Sequence, residues 1–370
     1  MAIAEDFNFE ATVKNAVRQA LEERGHVNVL IAGSTGVGKS TLINAIFQGN
    51  FATTGQGLPV TPNTREIKKD GIPLSIFDTR GLEMADFDAT MNELKTLVSE
   101  RARDPDPRKH IHVAWICILE DSRRVQQAEQ DLCKMLADYI PVVAVITKIR
   151  SEKSDKGFRA EVQRLLPLAR NIVRTRALPE EDDDGKIKPV FGLEELVDLT
   201  MQLVPEGAKR AFAAAQKVDI EAKKMKSHAI VATAALSAAG IAATPIPFSD
   251  AVAIVPIQVG MLSGISATFG LSIDQSFLIT IVGSIVTGAG GILGGRAIAA
   301  SLLKMIPGGG SIVGGTIAAT TAATLTVTFG EAYIAVLATL FVQKNGQPPT
   351  SQEVADAFRK EYSQRLIKGG

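Results

Sequence analysis

Residues Val27–Phe47 read VNVLIAGSTGVGKSTLINAIF. Val27–Ala32 is an unbroken apolar, β-branched run, as expected of a strand buried on both faces. Gly33–Ser40 then fits G-x-x-x-x-G-K-[ST], and Thr41–Phe47 has the composition of a helix. Strand, glycine loop and helix are the context this motif requires. Its glycines let backbone N–H groups turn inward around phosphate oxygens, and the following helix N-terminus adds its dipole. The expected phosphate contacts run through Gly33, Ser34, Thr35, Gly36, Val37, Gly38, Lys39, Ser40 and Thr41. Lys39 would reach the β and γ phosphates, and the Ser40 hydroxyl would ligate Mg²⁺.

Working outward, IPLSIFDTRGLE is an apolar strand ending near Asp78 and followed by Gly81. A carboxylate at that strand end can hold Mg²⁺ through water, and the Gly81 N–H can face a γ-phosphate. Between the two motifs, GNFATTGQGLPVTPNTREIKK is rich in Gly, Pro and Thr and reads as a mobile loop running into a strand at REIKK. A threonine there would complete the metal shell. Thr61 and Thr64 are both candidates, and Thr64, directly before the strand, is favoured. Lys39 and Thr64 are the groups expected to act in catalysis.

These elements resemble the translation-factor class of GTPases. GSTGVGKSTLIN is most similar to the Era, septin and immunity-related branches, and DTRGL to their second switch. The resemblance spans roughly Val27–Val204 and implies an α/β P-loop G domain, a mostly parallel sheet flanked by helices, binding GTP and GDP with Mg²⁺. It implies slow intrinsic hydrolysis of GTP, raised by dimerisation through the G domain or by another partner. Leu82 occupies the position at which Ras-type relatives carry a water-orienting glutamine; Arg80 lies nearby, either to stabilise charge or as a plain surface residue. The base-reading pattern [NT]-K-x-D is met at Thr147 and Lys148 but departs at Arg150, which offers only donors where an acceptor belongs. Asp155 would substitute if its loop folds back. An ATP-using P-loop enzyme is the alternative this departure keeps open.

The remaining G-domain segments follow in order. HVAWICILED supplies a central strand with Trp115 in the core, ARNIVRTRAL the last strand, and FGLEELVDLTMQLVP a closing helix with Glu194 and Glu195 exposed. PEEDDDGK reads as a solvated acidic loop. Strands alternating with helices argue for a mostly parallel sheet.

The chain of 370 residues is long enough for two domains, and its formal net charge of zero argues against a basic nucleic-acid platform. An Era-like RNA-associated role would need such an appendage, so no nucleic-acid partner is expected. Cys117 and Cys133 have no metal or redox spacing and read as reduced core residues in the cytoplasm. The N-terminus MAIAEDFNFE lacks the apolar core of a secretory signal. No internal repeat of fixed period is present.

Composition shifts near Ser227. From there to Gly330 the charged residues are Asp250, Asp274, Arg296 and Lys304. The expected domains are an N-terminal helix (1–26, helical from Glu5 to Arg24) packing on the G domain (27–204), a connecting helix (205–227), an all-α Gly/Ala-rich domain (228–345) and a C-terminal helix (346–370) begun by a capping box at Thr350 and Glu353. Phe277–Gly295 and Met305–Gly330 carry long apolar runs, with Gly290/Gly294 and Gly310/Gly314 spacings suited to close helix packing in lipid. Arg296 argues the other way, toward a soluble small-residue bundle. TPIPFSDAVAIVPIQVGML and MIPGGGSIVGG resemble an uncharacterised domain that follows GTPase domains in bacterial proteins, some of them membrane proteins. The expectation is a nucleotide switch on the cytoplasmic face of a membrane, with lipid as a partner.

Overall fold

The computed structural model describes residues 9–48, 58–79, 87–153, 156–181, 185–242, 250–271, 276–278, 281 and 319–368. The chain divides into two compact units, residues 25–219 and residues 1–24 with 220–370.

In the first unit the strands are β1 (Val27–Ala32), β2 (Leu58–Thr61), β3 (Thr64–Lys68), β4 (Leu74–Thr79), β5 (Val113–Leu119), β6 (Val142–Thr147) and β7 (Asn171–Arg174). They form one seven-stranded sheet in the order β2-β3-β4-β1-β5-β6-β7. Strands β4, β1, β5, β6 and β7 pair in parallel, while β2–β3 and β3–β4 are antiparallel. The helices are α2 (Lys39–Ile46), α3 (Phe87–Arg103), α4 (Gln127–Ala137), α5 (Lys156–Leu165), α6 (Leu193–Leu203) and α7 (Glu206–Ala215).

The period of two along each strand builds two cores. Val27, Val29, Ile31 and Trp115 face a core shared with α2, α6 and α7. Leu30, Ala32, Ala114 and Ile116 face the opposite core, shared with α3, α4 and α5. Trp115 is fully buried, as expected; it stacks on Phe47 at 5.7 Å and its indole N–H donates to Thr200. Cys117 and Cys133 are buried free thiols, and burial pushes Cys117 up to about 12.

Two segments read as loops are partly hairpins. Thr61-Pro62-Asn63-Thr64 joins β2 to β3 by a two-residue turn, pinned where Asn63 Nδ2 donates to Thr90. The acidic segment opens with β8 (Glu180–Glu181), which pairs antiparallel with β9 (Ile187–Lys188). Both strands are short, so the turn-rich composition hid them.

The expected connecting helix is also corrected. It is broken into α7 and α8 (Ile220–Ala242) at Gln216–Asp219. Phe212 is fully buried, and the Lys217 N–H donates to the Ile46 carbonyl at 2.8 Å. Gln216 exchanges two hydrogen bonds with the Asp219 backbone, at 2.8 and 3.0 Å. Tertiary burial and this turn override the helix propensity of AKRAFAAAQKVDIEAKKMK.

The second unit holds α1 (Phe9–Arg24), α8, α9 (Asp250–Phe269), α10 (Ala319–Gln343) and α11 (Ser351–Lys368). Here α1 overturns an expectation: Val13 and Ala20 join the helical core, and the helix packs on α9. Helix α10 packs against α8 and α11. Phe329, Tyr333, Phe358 and Tyr362 make an aromatic cluster, with Phe329–Phe358 at 5.1 Å and Tyr333–Phe358 at 5.2 Å. The capping box forms as read: the Thr350 N–H donates to Glu353, and the Glu353 N–H donates to Thr350 Oγ1.

Most of the two glycine-rich apolar runs, including the glycine pairs at 290/294 and 310/314, lies outside the described residues. Among those described, one helix is long and apolar enough to cross a membrane. It is Ala322–Gln343 within α10, 22 residues with mean hydropathy 1.8, half of it buried in the protein.

Candidate functional site

The site begins where β1 ends. Gly33, Gly36 and Gly38 have φ of 145°, 78° and 104°, a region L side chains rarely adopt. Gly33 is further fixed by space, since a Cβ there would lie 2.5 Å from the Cys117 carbonyl. Gly38 caps the N-terminus of α2, and the Leu42 N–H donates back to its carbonyl at 2.9 Å. Ser34 and Gly38 are half-buried, Val37 is buried, and Thr35, Gly36 and Ser40 are exposed. Lys39 folds over this loop, its Nζ donating to Gly33 O at 2.7 Å and Ser34 O at 3.2 Å. The loop thus curls around an ammonium group at a helix N-terminus, an arrangement that binds polyanions.

Asp78 lies beside it, because β4 pairs with β1 in the register Ile31↔Asp78. Its Oδ1 is buried without a hydrogen-bond partner. Burial raises its pKa, while the charges of Lys39 and Arg65 pull it back. A buried carboxylate oxygen left unpaired next to a phosphate loop is what a divalent cation would satisfy, so the residues fit Mg²⁺. Antiparallel pairing brings Thr64 to the same end of the sheet, opposite Thr79, and Thr64 is buried. Thr61 is half-buried and accepts from the Asn63 N–H. Arg80, Gly81, Leu82 and Asp155 lie outside the described residues.

At the end of β6, the Thr147 hydroxyl lies 2.7 Å from the Val37 carbonyl and 3.2 Å from that of Ile118. Lys148, with φ 55°, donates from Nζ to Gly36 O at 2.7 Å. The strand end and the phosphate loop are therefore stapled together. Arg150 turns aside: its Nη2 meets Asp121 Oδ2 at 2.7 Å, and its backbone N–H donates to Glu120.

A cavity of about 240 Å³ opens beside the staple, lined among others by Gly38, Thr41, Lys148, Ala177, Leu178 and Glu180. The residues after β7 escaped the sequence reading because they carry no motif. Their signal is positional: β7 lies next to β6 in the sheet, so its following loop must emerge next to Lys148. Arg176 in that loop is 3% exposed and ties the walls together, donating to Ile149 O at 3.1 Å and Pro189 O at 2.7 Å.

Parts of the chain are similar to known proteins. The family described as 50S ribosome-binding GTPase matches residues 28–148, and the domain of unknown function DUF697 matches residues 208–362. The tRNA modification GTPase MnmE of Baumannia cicadellinicola is 30% identical over 39% of this chain and 31% of its own length. Magnetosome membrane protein 22 of Magnetospirillum gryphiswaldense is 29% identical over 36% of this chain and 65% of its own. Septin-8-B of Xenopus laevis is 22% identical over 50% of this chain and 48% of its own. The chain thus spans between about a third and two thirds of the length of these relatives. Among solved structures, a probable GTP-binding protein engB overlaps 48% of this chain and 98% of its own, with 16% identity and a TM-score of 0.32. The chain combines a P-loop GTPase domain with a C-terminal domain of the DUF697 family.

Proposed function

We propose that the protein binds GTP with Mg²⁺, hydrolyses it to GDP and phosphate, and works as a nucleotide switch associated with a membrane. The observation that carries this reading is the Lys39 ammonium held within its own glycine loop, beside the buried, unpartnered Asp78 oxygen. In the bound state Lys39 exchanges its loop carbonyls for β and γ phosphate oxygens. Loop N–H groups from Gly33 to Thr41 cradle the phosphates, and Thr147 and Lys148 border the base. Ser40, Thr64 and Asp78 would hold Mg²⁺, which neutralises charge on the phosphate oxygens.

Leu82 cannot orient water, so a second copy meeting this one through the G domain would complete the electrostatic site. The apolar helix at Ala322–Gln343 and the relative named as a magnetosome membrane protein support the membrane part of the proposal. The G domain would then face the cytoplasm.

The test is nucleotide binding by the full chain. Lys39→Ala should lower GTP affinity at least ~100-fold, because it removes charge-assisted contacts to the β and γ phosphates, and should also weaken GDP through the lost β-phosphate contact. Titration with a fluorescent guanine nucleotide measures this, and unchanged affinity would overturn the assignment of the loop. Competition by ATP as strong as by GTP would favour an ATPase instead.

A further inference from the structure

Guanine presents two donors along one edge, N1–H and the exocyclic amine, and a pocket that selects it needs an acceptor facing both. Arg150 cannot be that acceptor, since a guanidinium only donates. Among the described residues, three carboxylates around it are each engaged by a cation. Asp121 holds Arg150 at 2.7 Å. Glu120 is buried in a pair with Arg174 at 2.8 Å and also accepts the Arg150 N–H. Glu152 meets Arg176 at 3.2 Å. None of these three lines the cavity beside Lys148; among the described residues, the acidic one that does is Glu180.

Three further features bear on Glu180. It opens β8, where pairing with Lys188 of β9 fixes its backbone. Arg176 bonds both the carbonyl of Ile149, one residue after Lys148, and that of Pro189, one residue after Lys188. The wall carrying Glu180 is thereby tied to the wall carrying Lys148. Leu178, apolar yet 60% exposed, lines the same space. An exposed leucine lining the same cavity as Lys148 offers an apolar face to a planar ring.

We infer that Glu180 is the base-reading carboxylate of this protein, accepting the N1–H and amine of a guanine held beside Lys148, in the role that Arg150 has vacated. This rests on the reading of the site as a nucleotide site. Adenine has no donor at N1 or C2, so it leaves the carboxylate unpaired. Xanthine carries a carbonyl oxygen in place of the amine and repels it. An amide at this position has the opposite preference, because its N–H₂ donates to that oxygen.

The experiment compares wild type, Glu180→Gln, Glu180→Ala and Lys39→Ala by calorimetric titration with GDP, XDP and ADP in Mg²⁺. Thermal unfolding checks each fold, and the exposure of Glu180 makes its variants tolerable. Wild type should prefer GDP. Glu180→Gln should weaken GDP at least ~10-fold, the scale of a lost hydrogen bond to a charged group, and strengthen XDP. Glu180→Ala should weaken GDP and bring ADP level with it. Unchanged GDP:XDP:ADP ratios in both variants would overturn the inference, as would a wild type that binds GDP and ADP equally. A wild type that binds no nucleotide, indistinguishable from Lys39→Ala, would overturn the nucleotide reading itself.

Discussion

Asp78 carries a desolvation cost in the ligand-free protein that the proposed Mg²⁺ would relieve. Its Oδ1 is buried and unpaired, and desolvation raises the pKa above the ordinary 3.8. A carboxyl group with a raised folded pKa contributes most to stability when neutral. That contribution is lost as pH rises past 3.8 through the raised folded value. At neutral pH the ligand-free G domain therefore carries the cost of a desolvated carboxylate that the Lys39 and Arg65 charges only partly offset. Asp78→Asn should remove the charge and stabilise the ligand-free protein by about 1 kcal/mol. The same substitution should abolish the Mg²⁺ dependence of nucleotide affinity. Thermal unfolding without nucleotide and titration with and without Mg²⁺ measure the two effects, and a lowered melting temperature would contradict the account. Arg150 is the opposite kind of residue. Its departure from the base-reading pattern is visible in the sequence, whereas its engagement with Asp121 is set by the tertiary fold.

At the scale of elements, the helical unit depends on small residues where helices cross. A Cβ at Gly330 of α10 would come 2.4 Å from Val231 Cγ2 and 3.0 Å from Met261 Sδ. Val231 is β-branched and buried, so it has little freedom to retreat. Gly330→Ala should cost the unit about 1–3 kcal/mol by overpacking, and Val231→Ala should recover part of that in a double-mutant cycle. Additive losses would show that the contact is not tight. The start of α11 is held electrostatically. Glu353 is lowered to about 2, chiefly by the Lys344 ammonium at 2.7 Å and then by the Thr350 N–H. A depressed carboxylate stabilises above its unfolded pKa and loses that contribution as pH falls through the folded one. The first turn of α11 should therefore be held at pH 5 and fray as pH drops through about 2–4. Amide exchange at Glu353 and Val354 across that range is the measurement, and exchange that follows only the intrinsic chemical rate would refute it.

For the whole molecule, the question is what the apolar helical unit faces. Val327 lies on α10 within the apolar span and is 39% exposed. In a protein whose unit meets only water, Val327→Arg is a surface change within about 0.5 kcal/mol of neutral. If that face enters lipid, the arginine should weaken partitioning by about 1–3 kcal/mol, less than at a bilayer centre because it can snorkel. Flotation of the full chain with liposomes, in GDP and in a non-hydrolysable GTP analogue, tests this. Equal flotation of wild type and variant, or none by either, would remove lipid as the partner of this face.

The sequence by itself determined the P-loop G domain and its phosphate loop, because glycine spacing, an apolar strand and a following helix are local and leave few alternatives. It also determined Trp115 as core, the capping box and the departure from the base-reading pattern at Arg150. Tertiary structure decided what depends on burial and on distant partners. Helix α1 joined the helical core through Val13 and Ala20, since an amphipathic helix does not encode which core will take its apolar face. The alanine-rich connecting segment broke at Gln216 because Phe212 had a core to enter and Lys217 a carbonyl to bond. The cavity wall at Leu178 and Glu180 came from sheet order, which sets β7 against β6 and cannot be read from either strand alone.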